Sequence, residues 1–96
     1  MAPALTLALQ QLGCGRDLTV DQAAAATAAI ISGEASEVAM GAFLTALRVK
    51  GETADELAGA VGEVRERMAS WDVSPRPYPI LDTCGTGGDG ALSVNI

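Results

Sequence analysis

The residues with the greatest capacity for chemistry stand together in one stretch, Asp82-Thr83-Cys84-Gly85-Thr86-Gly87-Gly88-Asp89-Gly90, followed by Ser93-Val94-Asn95-Ile96. Four of the six positions from 85 to 90 are glycine. Glycine at this density serves a backbone with positive φ, or a backbone that a ligand must approach where a Cβ would block it. Placed after the short apolar run Ile80-Leu81, such a loop turns its N–H groups toward an anion, phosphate above all. It is not a Walker A loop, which requires a lysine that this stretch lacks. Gly85, Gly87 and Gly90 fit the spacing of a dinucleotide fingerprint, but the acidic residue that should follow some 20 positions later is missing, so that match is weak.

The neighbours of the glycines each admit two readings. Asp89 is the acid inside the loop; it could accept from ribose hydroxyls or orient a hydrated magnesium ion, or it could bond its own backbone in an Asx turn. Thr86, Ser93 and Asn95 can donate to phosphate, or serve as turn and cap residues. Cys84 sits beside the loop, yet the chain contains no histidine and no cation adjoins the thiol to lower its pKa. A small buried apolar role therefore suits it better than a nucleophilic one. Cys14 and Cys84 are seventy positions apart with no CxxC pair, so no metal-ligand cluster is encoded and the cysteines fit a reducing compartment.

The loop needs something to hold it, and most of the chain reads as helix. Leu5, Leu9 and Leu12 share one face of a first helix over about Ala4 to Leu12, broken by Gly13 and Gly15. Thr19 and Gln22 form a capping-box pattern opening a second helix that runs through the alanines to Ile31 and stops at Ser32-Gly33. A third is capped by Ser36, with Val38, Ala42, Leu44 (or Phe43) and Leu47 as its apolar side, Arg48 and Lys50 in its last turn and Gly51 as its stop. Thr53 and Glu56 make a second capping box, and Leu57, Val61, Val64 and Met68 follow at helical spacing. Trp71 reads as a packing residue that closes the helical core. Ser74-Pro75-Arg76-Pro77-Tyr78-Pro79 is an extended connector, since proline removes a donor and biases its predecessor away from helix. Ile80-Leu81-Asp82 reads as a short buried strand leading into the glycine loop.

The expected architecture is thus mainly α: a four-helix domain over 1–72, a Pro-rich linker over 73–79, and the first strand and glycine loop of a truncated α/β domain over 80–96. The 96 residues bear a net charge of −6, with Arg16, Arg48, Lys50, Arg65, Arg67 and Arg76 dispersed. That balance disfavours nucleic acid and anionic membrane surfaces as partners. No secretory leader is evident, and no apolar run approaches the roughly 20 residues that span a bilayer.

Taken together, these strings resemble the start of anthranilate phosphoribosyltransferase. Asp82 to Gly90 with Ser93-Val94-Asn95-Ile96 is similar to that family's D-x-x-GTGGDG signature and the T-x-N-[IV] that follows it. Gly33-Glu34-Ala35-Ser36, Ala42-Phe43-Leu44-Thr45-Ala46-Leu47-Arg48 and Lys50-Gly51-Glu52-Thr53 resemble its upstream helical segment, in the same order. The resemblance implies transfer of a phosphoribosyl group from phosphoribosyl pyrophosphate to the amine of anthranilate, with release of pyrophosphate, in tryptophan biosynthesis. It implies a cytoplasmic enzyme that dimerises with itself through the helical domain and uses magnesium, whose ligands are expected beyond Ile96. Carried over by position, Gly85 lies against donor and acceptor, and Gly88 and Asp89 hold the donor's pyrophosphate and ribose side. Thr86 and Gly87 belong to the same substrate-binding loop. Ser93 keeps the hydroxyl of the family's threonine, and Asn95 and Ile96 begin the next phosphate-binding stretch. No catalytic nucleophile is implied. Family members are several times longer, so the chain is expected to be an N-terminal piece that is inactive alone.

Two other readings compete. A pyrimidine nucleoside phosphorylase would share the helical domain, but its loop resembles K-x-S-T-G-G, whereas Gly85-Thr86 stands here without a preceding lysine. A non-catalytic helical module could associate through the Leu57/Val61/Val64/Met68 or the Leu5/Leu9/Leu12 face.

Overall fold

A computed structural model describes residues 2–70, 75, 77–85 and 90. Four helices account for most of them: α1 (Pro3–Gly13), α2 (Val20–Ile31), α3 (Glu37–Lys50) and α4 (Ala54–Arg67). Each begins where the local chemistry allows. Pro3 opens α1 at a position whose missing N–H is no loss, because the first helical N–H groups have no partner within the helix. Thr19 caps α2 in a full capping box: its hydroxyl accepts from the Gln22 N–H at 3.1 Å, and the Gln22 side chain accepts from the Thr19 N–H at 2.9 Å. The Ser36 hydroxyl accepts from the Ala39 N–H at 3.1 Å to start α3. Thr53 and Glu56 repeat the capping box at α4, at 3.1 and 2.8 Å.

The first two helices also end alike. After α1, Gly15 adopts φ +74°, so its N–H reaches the Leu12 carbonyl and the Arg16 N–H reaches that of Gln11. After α2, Gly33 does the same at φ +82°, with bonds from Gly33 to Ile30 and from Glu34 to Ala29. Both are Schellman closures, which need the left-handed residue that glycine supplies without a Cβ penalty.

The helices pack in the spatial order α3, α1, α2, α4. Leu5, Ala8 and Leu12 of α1 meet Ala23, Ala26 and Ala29 of α2 on one side and Ala39 and Phe43 of α3 on the other, with Leu18 closing one end. Leu5 is the large side chain that is fully enclosed. The alanines fill little volume and let the axes approach closely. The α2–α4 contact is tighter still. A Cβ added at Gly59 would overlap the Val20 carbonyl oxygen and lie 3.0 Å from both the Ala23 Cβ and the Ala24 nitrogen. The buried Thr27 hydroxyl is satisfied within its own helix, donating to the Ala23 carbonyl at 2.8 Å.

The inward face of α3 and the burial of Cys84 need correction. The inward side of α3 is Ala39 and Phe43, with Ala46 and Leu47 half-buried; Val38 is 83% exposed and Leu44 61%. Small Ala39 lets α1 approach along that line, and Val38 is rotated off it. On α4 the stripe Leu57, Val61, Val64 faces out and stays about half exposed, while Glu56 and Gly59 are the buried positions. A glycine that admits a neighbouring backbone and a carboxylate that is drawn inward by hydrogen bonds carry no hydrophobic signal, so periodicity does not mark the buried line of α4. Finally, Cys84 is exposed instead of buried, and upstream of it Ile80 is 64% and Leu81 84% exposed. No strand occurs among the described residues to pair with that segment. Trp71 lies outside the described residues, and Pro75, Pro77, Tyr78 and Pro79 are exposed without regular structure.

Candidate functional site

The glycine loop is described at its two ends. At its entrance the Asp82 carboxylate accepts from the Cys84 N–H at 2.8 Å, an Asx-type bond that bends the backbone two residues on. Gly85 follows, half-buried, and Gly90 stands at φ +72°. Thr86, Gly87, Gly88, Asp89, Ser93, Asn95 and Ile96, the other positions read as substrate-binding, lie outside the described residues. Among the described residues no three His, Cys, Asp or Glu side chains gather around a point that could hold a metal ion. The described residues do not make a magnesium site.

A second cluster is built where α3 ends and α4 begins. Lys50, the last residue of α3, directs its ammonium to three acceptors at 2.8 Å each: Asp17 Oδ1, Glu56 Oε1 and the Gly51 carbonyl. Three donors is the full complement of a lysine. Glu56 is only 3% exposed. Its Oε1 also accepts from the Thr53 N–H at 2.8 Å, and its Oε2 accepts from the Leu18 N–H at 2.9 Å. One carboxylate therefore closes the capping box of α4, pairs with the end of α3 and holds the α1–α2 connection.

The electrostatics follow from that geometry. Burial alone would push the Glu56 carboxyl up. The bonds from Lys50, Leu18 and Thr53 outweigh it and hold the group at about 2, well below its ordinary 4.5. Lys50 is raised above its ordinary 10.5, first by its bond to Asp17 and then by that to Glu56. Both groups stay charged across the physiological range with their donors and acceptors engaged, so the cluster fastens the fold and has no proton to trade. The capping box was legible in the Thr53–Glu56 spacing. The bond to Leu18, 38 residues away, has no local signature.

Between α1 and α3 runs an open groove of about 610 Å³, floored by Leu12, Gly41, Ala42, Thr45, Ala46 and Val49. Its one titratable lining residue is Lys50, already engaged. Apart from that ammonium and the Thr45 hydroxyl the lining is apolar or backbone. No described helix is long and apolar enough to cross a membrane.

The described residues thus define a small helical bundle that leads, through a proline-rich connector, into a glycine loop. Residues 6–68 match the glycosyl transferase family, helical bundle domain, and the chain belongs to that family. It is 49% identical over 88 residues to anthranilate phosphoribosyltransferase of Symbiobacterium thermophilum, covering 92% of this chain and 25% of that relative. It is 48% identical over 86 residues to the enzyme of the same name from Rhodopseudomonas palustris, covering 90% and 24% respectively. For that of Geobacillus kaustophilus the identity is 46% over 82 residues, covering 85% and 23%. The chain spans about a quarter of the length of these relatives. The first alignment leaves so few residues uncovered that it must extend into the glycine loop. No solved structure gives a significant match.

Proposed function

We propose that this chain is the N-terminal part of an anthranilate phosphoribosyltransferase, a cytoplasmic enzyme that moves a phosphoribosyl group from phosphoribosyl pyrophosphate to anthranilate. The observation that carries the reading is the 49% identity over 88 residues, helical bundle and glycine loop together. In this reading Gly85, Thr86, Gly87, Gly88 and Asp89 cradle the donor, and Ser93, Asn95 and Ile96 continue the phosphate contacts. Gly85 also touches the acceptor.

The chemistry suits such a loop. Breaking the bond between the anomeric carbon and pyrophosphate leaves positive charge on the ribose and negative charge on the leaving group. Backbone N–H groups fixed in place stabilise the departing charge without reorganising. The amine of anthranilate supplies the electron pair, so the protein must align it with the anomeric carbon and needs no covalent nucleophile. The helical bundle would present a self-complementary surface for a homodimer. Magnesium would be held by residues beyond this segment.

The test is the native mass of the protein in its source, with transferase activity followed in the same fractions. Activity in a species several times heavier than 9.7 kDa that contains this sequence is the expected result. A native species of 9.7 kDa, with transferase activity absent from every fraction containing it, would overturn the reading in favour of a helical association module.

A further inference from the structure

We draw no further inference here: the strongest candidate, the half-exposed apolar stripe Leu57, Val61 and Val64 along the face of α4 turned away from α2, has nothing in the structure to show what covers it.

Discussion

Replacing Glu56 with glutamine tests the account of what fastens the bundle. The substitution keeps the shape of the side chain and removes its charge. If the amide oxygen takes the place of Oε1, it can still accept from Lys50 and Thr53, but the amide nitrogen then faces the Leu18 N–H, donor against donor. If the amide flips, it sets the same nitrogen against the Lys50 ammonium and the Thr53 N–H. Either way a buried donor loses its partner. Holding the carboxyl at about 2 instead of 4.5 favours the charged, folded form by about 3 kcal/mol. Small domains are stable by only about 5–15 kcal/mol in all, so that is a large share. The thermal midpoint of E56Q should fall by roughly 10–25 °C at neutral pH, as followed by far-ultraviolet circular dichroism. The pH dependence has a definite sign. A depressed carboxyl contributes its full stability above 4.5 and loses it as the pH falls from 4.5 toward 2. The native chain should therefore lose stability through that window, and E56Q should lack this component. A midpoint for E56Q within 2 °C of the native value, or parallel acid profiles for the two chains, would refute the assigned bonds.

Three further outcomes are expected. Gly59→Ala should destabilise the bundle by roughly 1–3 kcal/mol, because its Cβ meets the fixed backbone of α2; Gly62→Ala, on the same helix with open space around it, should gain about 0.5–1 kcal/mol, and equal effects in chemical denaturation would contradict the packing. Lys50→Met should shift the acid unfolding of the chain to higher pH, since Glu56 loses the cation that most strongly opposes its burial; an unshifted profile would show that the pair is not formed. On the proposed function, Gly88→Val in the full-length transferase should weaken phosphoribosyl pyrophosphate binding at least tenfold in calorimetry while leaving helical content intact, and near-normal affinity would refute the loop assignment.

The four helices were legible because their ends are written in local chemistry. Thr19–Gln22, Ser36 and Thr53–Glu56 fix the starts, and Gly33 and Gly51 fix two of the ends, within a residue or two of the observed bounds. The inward faces were less legible. On α1 the face set by leucine spacing does point inward, Leu5 and Leu12 fully and Leu9 in part. On α4 the buried line runs through Glu56 and Gly59, one inward for its hydrogen bonds and the other for its lack of a side chain. Neither reason is visible to a reading that equates burial with hydrophobicity. The loop was conspicuous from its glycines alone, and Gly85 and Gly90 are the positions of that string that the structure describes. The Asp82 turn at its entrance is a single local bond to the Cys84 N–H, and an aspartate before a loop carries no pattern that singles it out.

The bond from the Leu18 N–H to Glu56 also bears on the order of folding. It joins residues 38 apart, and the loop it closes contains all of α2 and α3. The entropic cost of closing a loop grows with its length, so a contact of this span gains little until the intervening helices are in place. Each local cap, spanning three residues, forms without that cost. The tie is therefore expected to close late, and interactions absent from the folding transition state act on the rate of unfolding. In kinetic terms the Leu18–Glu56 bond works as a latch: it should scarcely hasten assembly of the bundle, and it should lengthen the time for which the assembled bundle stays shut.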